Sequence, residues 1–242
     1  IGQGGWLFYR PDVDYVTGPP YLDSNEMRRR RLSENAPQPD PRKAVLSFHK
    51  QLQQRGVQLV LMPTPVKPMI EGEHFSAMGS KGIGLLRNPS DEPFFDEMRK
   101  EGILIFDCAK DLYEAKKKGG SRQFLETDTH WTPEGMDLAA KNLASFLREL
   151  GVLDKPDTAY VRKPCGMSDL GDIAIMMKLP ENQKLFQKQT VTTQIVMLED
   201  GSPWRPERGS EILLLGDSFS NIYSLAEMGW GGSAGFAEQL SF

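Results

Sequence analysis

"RKAVLSFHKQLQQRGVQLVLMP" (residues 42–63) holds two elements in one run. Residues 42–56 place Val45, Phe48 and Leu52 at helical spacing and end on Gly56, the pattern of an amphipathic helix with a glycine C-cap. Residues 57–63, "VQLVLMP", form a short β-branched and apolar run stopped by proline, which reads as a strand. The same alternation recurs downstream. "DEPFFDEMRKEG" (91–102) is helical in pattern and "ILIFD" (103–107) is a buried strand. "AKDLYEAKKKGG" (109–120) is a further helix with a glycine stop, and "PEGMDLAAKNLASFLRELG" (133–151) carries apolar residues at Met136, Ala140, Leu143, Phe146, Leu147 and Leu150. Helices alternating with continuous apolar strands predict a mostly parallel central sheet covered by helices on both faces, a three-layer α/β/α arrangement.

The flanks of this repeat are less regular. "GGWLFYRPDVDYV" (4–16) reads as a short strand followed by a turn at Pro11-Asp12, and "PQPDP" (37–41) as a boundary. "TVTTQIVML" (190–198) is strand-like and "DGSPWRPERG" (200–209) is a turn-rich connector, so 156–210 reads as an insertion within a single domain spanning 1–242. The chain starts at Ile1 and shows no signal peptide, and few residues follow Ser218. Both ends are expected to be those of a piece of a longer chain, with a leader or anchor ahead and further residues behind.

Composition narrows the function. The formal net charge of −4 argues against nucleic acid as the main partner. The run Arg28–Arg31 is either a solvated helix face or a contact for an acidic sugar polymer. No apolar stretch approaches the roughly 20 residues of a membrane-spanning helix. Cys108 and Cys165 have no metal-ligand spacing, and their pairing stays open. Neither a metal nor a cofactor is expected.

Chemistry concentrates in two stretches, "TDTHW" (127–131) and "ILLLGDSFSNIY" (212–223). "EILLL" (211–215) reads as a strand whose end delivers Ser218 to the rim of the sheet, with Gly216 allowing a sharp exit. Residues 219–229 would form a helix whose first N–H groups face a developing oxyanion. A serine hydroxyl needs a neighbouring base. His49, inside the first helix, and His74, in "EGEHF", read as structural. His130 sits just before Thr132-Pro133, a helix start that fixes its position, and Asp128 lies within reach of its second ring nitrogen. Trp131 is either an aromatic wall for a sugar ring or a core residue; Tyr223 is a second candidate substrate contact.

These pieces, in this order, resemble the SGNH-hydrolase-like O-acetyltransferases of exopolysaccharide biosynthesis, the AlgX/AlgJ group. "GGWLFYRPDVDYV", "LVLMPTPVKP" (59–68), "TDTHWTPEG" (127–135) and "LLLGDSFSNIYS" (213–224) carry the resemblance, which runs from about residue 4 to 230 and is weakest over 156–210. It implies a flavodoxin-like α/β/α domain exported to the periplasm, with Ser218 as nucleophile, His130 as base and Asp128 as orienting acid. It also implies a polysaccharide acceptor, alginate-like or another exopolysaccharide, and an acetyl group relayed by a membrane-bound O-acyltransferase. The Asp-x-His before the serine departs from ordinary SGNH esterases, which carry Asp-x-x-His after it. The glycine and asparagine that complete the oxyanion hole in those esterases are not located here, leaving the Ser218 N–H as the named donor. A carbohydrate esterase using the same triad, and a non-catalytic polysaccharide-binding subunit, are the rival readings.

Overall fold

The computed structural model describes residues 1–32, 38–75, 84–153 and 158–242. Pro37 of the expected boundary and the first two residues of the expected insertion lie outside them. The N-terminal motif differs from its reading as strand and turn. Residues 6–9 are extended without a ladder, and a helix, α1 (Arg10–Thr17), follows directly. Pro11 sits in its first turn, where a missing N–H breaks no helical bond and a fixed φ favours the helix. The arginine run lies on α2 (Ser24–Arg31), capped by the Asp23 carboxylate, which accepts from the N–H groups of Asn25 and Glu26. Arg28, Arg29 and Arg31 are exposed, and Arg29 pairs with Glu26 at 2.6 Å.

The helix–strand alternation is present in α3 (Pro41–Gln53), β1 (Val60–Leu61), the short helices α4 (Lys67–Ile70) and α5 (Gly72–Phe75), α6 (Asp91–Lys100), and β2 (Leu104–Ile105). β1 and β2 pair in parallel, Val60 opposite Leu104 and Leu61 opposite Ile105. Val45, Leu46 and Leu52 of α3 pack with Leu59, Met98 and Ile103, so each helix closes over the strand beside it. Phe48 departs from its expected inward position and is exposed. The helices α7 (Ala109–Gly119) and α8 (Pro133–Glu149) follow. Gly120 caps α7 in the left-handed conformation, and Thr132 caps α8 by accepting from the Gly135 N–H at 3.1 Å.

Beyond α8 the structure departs further from expectation. The region read as an insertion is a long antiparallel hairpin of β3 (Tyr160–Asp169) and β4 (Gln189–Leu198), with α9 (Asp172–Met176) in its connection. The expected strand 211–215 is extended but joins no ladder among the described residues. Ile212 and Leu214 pack on the core while Leu213 and Leu215 are 81% and 70% exposed, the period-two alternation of a strand with one face covered. The expected helix 219–229 is a single turn, α10 (Ser218–Asn221), before irregular chain and the terminal α11 (Phe236–Ser241). The parallel ladder is therefore short among the described residues.

One apolar cluster joins Trp6, Phe106, Leu112, Phe124, Trp131, Met136, Ile222, Tyr223, Trp230 and Phe236, residues from both ends of the chain and the middle. Cys108 and Cys165 are unpaired. No helix among the described residues is long and apolar enough to cross a membrane. Since Thr132 both caps α8 and donates to the Arg122 carbonyl at 3.0 Å, Thr132→Ala is expected to lower the unfolding free energy by about 1–2 kcal/mol in urea titrations.

Candidate active site

The stretch 123–132 is a buried loop closed at its neck. The Leu125 N–H donates to the His130 carbonyl (3.0 Å), and the Thr132 N–H donates to the Gln123 carbonyl (2.9 Å). Buried backbone groups outside regular structure need other partners. Glu71, itself buried, supplies one: its Oε1 accepts from the N–H of Gln123 (2.8 Å) and its Oε2 lies 2.7 Å from the Lys116 ammonium. Lys67, also buried, supplies another, its Nζ donating to the carbonyls of Leu7 (2.6 Å) and Glu126 (3.2 Å). The N-terminal motif is thereby fastened to the loop.

Within this frame Asp128 and His130 meet. Asp128 Oδ1 lies 2.7 Å from His130 Nδ1 and also accepts the His130 backbone N–H at 3.0 Å. The carboxylate is 1% exposed and the imidazole residue 4%. Asp128 Oδ2 accepts from Trp230 Nε1 and from the Asp172 N–H, both at 2.9 Å. Burial would raise this carboxyl, but the hydrogen bonds and charge of His130, with the Trp230 indole, outweigh it and hold the group well below the usual carboxylate range. His130 Nε2 is buried and has no hydrogen-bond partner among the described residues.

Ser218 is the first residue of α10, capped by Asp217, whose carboxylate accepts the Phe219 N–H at 3.0 Å. Gly216 serves a close approach: a Cβ there would lie 2.0 Å from Ser220 Oγ. Ser218 is exposed, and the described residues contain no hydrogen bond between it and His130. The adjoining Phe219 bridges them instead, its ring 4.8 Å from the imidazole centroid. Of the expected three, the structure couples two directly and holds the third on the neighbouring segment.

Trp131 and Tyr223 do not offer faces to a substrate: of its two readings Trp131 takes that of a core residue, and the expectation of Tyr223 as a substrate contact is corrected. Both are fully buried. Trp131 stacks on Phe236 and donates Nε1 to the Phe219 carbonyl (3.0 Å), while the Tyr223 hydroxyl donates to the Trp131 carbonyl (2.7 Å). Buried aromatic rings with polar tips find such partners. Here those bonds stitch the serine segment to the histidine loop.

Lys67, Asp172 and Trp230 escaped the sequence reading. Lys67 stands in the quoted "PTPVKP", and Trp230 in "GWGG", where glycines around one large ring signal a tight turn. Asp172 gave no signal by itself. Its carboxylate accepts the Thr129 N–H at 2.7 Å and the Thr129 hydroxyl at 2.8 Å. Asp128, His130 and Asp172 cluster closely enough to hold a cation, yet those hydrogen bonds already engage the carboxylate oxygens. In the second such group, Glu71, Glu73 and His74, the Lys116 ammonium already pairs with both glutamates.

The match of a family model over nearly the whole chain places it among SGNH hydrolase-like domains. It belongs to the family described as "SGNH hydrolase-like domain, acetyltransferase AlgX", which matches residues 1–241. Its relatives include the "Probable alginate O-acetylase AlgJ" of Pseudomonas aeruginosa, 31% identical over 67% of this chain and 36% of the relative. The protein of the same description in Pseudomonas putida is 27% identical over 91% of this chain and 54% of its own length. The chain thus spans about half or less of these relatives. The solved O-acetyltransferase domain of Pseudomonas putida AlgJ matches with a TM-score of 0.60 at 23% identity, covering 83% of this chain and 65% of that one, a likeness of fold.

Burial pushes the Lys67 ammonium from 10.5 down to about 8, against the pull of Asp128, Asp172, Asp12 and Glu71. The folded chain therefore releases this proton first, and between about pH 8 and 10.5 the unfolded chain binds more protons. Stability should rise with pH across that window, by about 3 kcal/mol from this group. Denaturant unfolding at the two ends should show the rise in the wild type, and a rise smaller by that amount in Lys67→Met.

Proposed function

We propose that this chain is a single catalytic domain that transfers acetyl groups to hydroxyls of an exported, alginate-like polysaccharide. The observation that carries the reading is the buried Asp128–His130 pair on a loop hydrogen-bonded to the segment bearing Ser218. A carboxylate on Nδ1 fixes the tautomer in which Nε2 is the basic nitrogen. Nε2 is the ring atom left without a hydrogen-bond partner among the described residues.

In the first half-reaction Ser218 Oγ attacks the acetyl carbonyl as Nε2 takes its proton. The tetrahedral oxyanion faces the Ser218 N–H, which at the first position of α10 has no acceptor within the helix. The leaving group departs with the proton from Nε2, giving acetyl-Ser218. In the second, a sugar hydroxyl gives its proton to Nε2, attacks the acetyl carbonyl and displaces Ser218 Oγ, which regains a proton from the imidazolium. Asp128 stabilises the imidazolium in both halves and remains ionised. The exposed Ser218 and buried Nε2 must come together for this, a closure common when a substrate completes a site. The acceptor is proposed because the relatives are described as probable alginate O-acetylases; a periplasmic location and a membrane-bound O-acyltransferase as the source of acetyl groups complete the proposal.

Nitrophenyl acetate tests the first half-reaction. Wild-type protein should give a burst of nitrophenol and an acetyl adduct by intact mass, and Ser218→Ala should give neither. Asp128→Asn should lower turnover by about 10⁴-fold, because the imidazole then presents the wrong tautomer. Mannuronate oligosaccharides added to the acetylated protein should gain acetyl groups faster than free acetate appears. Release as acetate alone would assign the domain as an esterase, and the absence of burst and adduct would remove the catalytic reading.

A further inference from the structure

Asp128 Oδ2 marks a part of the site that the two halves of the reaction do not use. A carboxylate presents about four lone-pair directions. Two at Asp128 are filled by His130 and two by donors from distant chain: Trp230, 102 residues away, and the Asp172 N–H, 44 residues away. The terminal torsion of an aspartate is broad, so bonds on Oδ1 alone leave the carboxylate free to swing out of the imidazole plane. Two donors on Oδ2 remove that freedom.

We propose that Trp230 and the Asp172 N–H form a clamp on Asp128, and that Trp230 is a positioning residue that fixes the tautomer and orientation of His130. For its kinetic consequence the proposal rests on the function given above. The indole N–H can only donate, and a buried tryptophan elsewhere in a core satisfies it on any carbonyl. Trp131 in this chain does so; Trp230 ends on the carboxylate that holds His130.

The second donor comes from the β3–β4 hairpin, and the hairpin turn is shaped to deliver it. Gly171 has φ +91°, and a Cβ there would lie 2.7 Å from the Thr127 backbone carbonyl and 2.9 Å from Asp128 Cβ. Only glycine lets the chain pass this close to the loop. The Thr127 hydroxyl donates to the Leu170 carbonyl at 2.5 Å, and the Ala174 N–H donates to the Thr127 carbonyl at 3.2 Å, so the contact is fastened on both sides. The region read from sequence as an insertion is thus built into the site.

The test replaces Trp230 in the whole chain by phenylalanine, which keeps a ring and removes the donor. Benzothienylalanine at the same position, an indole isostere without the N–H, keeps the packing should phenylalanine unfold the protein. Long-range ¹⁵N–¹H correlation spectra of the imidazoles, with His130 assigned by its loss in His130→Gln, report the tautomer without any turnover. The wild type should show a single Nδ1–H tautomer at alkaline pH, and both replacements a mixture with Nε2–H. In acetyl transfer kcat should fall about tenfold, the equivalent of one hydrogen bond to a charged group, with KM unchanged. An unchanged tautomer with only a lower melting temperature would overturn the clamp. A tautomer change on replacing Trp230, together with no acetyl transfer by the wild type, would keep the clamp and reject the function.

Discussion

A carboxylate taken out of water must be satisfied on every side or it will take up a proton. Asp128 meets that condition through one neighbour in sequence and two distant donors, and much of the molecule can be understood as what brings them together. The loop that carries it is closed by Glu71 and Lys67 from the α4 region. The hairpin delivers the Asp172 N–H, and the glycine-flanked turn near the C-terminus delivers Trp230. The price of the arrangement is a cluster of buried ionisable groups: Lys67, Glu71, Asp128 and His130 all lie in the interior. Removing one member of such a set leaves its partners uncompensated, so each such substitution is expected to lower stability.

The same bonds connect fold to chemistry. Trp131 and Tyr223 tie the histidine loop to residues 219–223 through backbone carbonyls, so the position of Ser218 is set by aromatic side chains that themselves touch no solvent. Ser218 is exposed, and it follows a segment in which Leu213 and Leu215 are turned outward. A rigidly supported imidazole and an accessible serine hydroxyl are the two features on which the proposed acetyl transfer rests.

The sequence makes the helices legible because their information is local. Spacing of apolar residues located α3, α6, α7 and α8 within a few residues, and Thr132-Pro133 marked the start of α8 through cap chemistry. It was less informative where burial depends on distant chain. β3 reads "YVRKPCGMSD", polar and interrupted by proline, and it is a strand because β4 pairs with it along ten residues. In "EILLL" the apolar run predicted a strand, whereas the stretch joins no ladder among the described residues and only alternate residues found a covering layer. Asp128 and His130 could be paired from their spacing. Asp172 and Trp230 could not, since tertiary structure alone carries them to the carboxylate. Nor can an aromatic residue beside a histidine reveal whether its ring lines a groove or a core; here the carbonyls that satisfy the polar tips of Trp131 and Tyr223 decide for the core.

The central claim is that the buried Asp128–His130 pair activates Ser218. Reaction of the folded protein with a small sulfonyl fluoride, followed by peptide mapping, measures that activation directly, because an unactivated serine hydroxyl is a poor nucleophile. One sulfonyl group is expected on Ser218 in the wild type, and none in His130→Gln under conditions where circular dichroism shows that variant to be folded. Labelling of Ser218 at the same rate without His130, or an unlabelled Ser218 in the wild type, would contradict it.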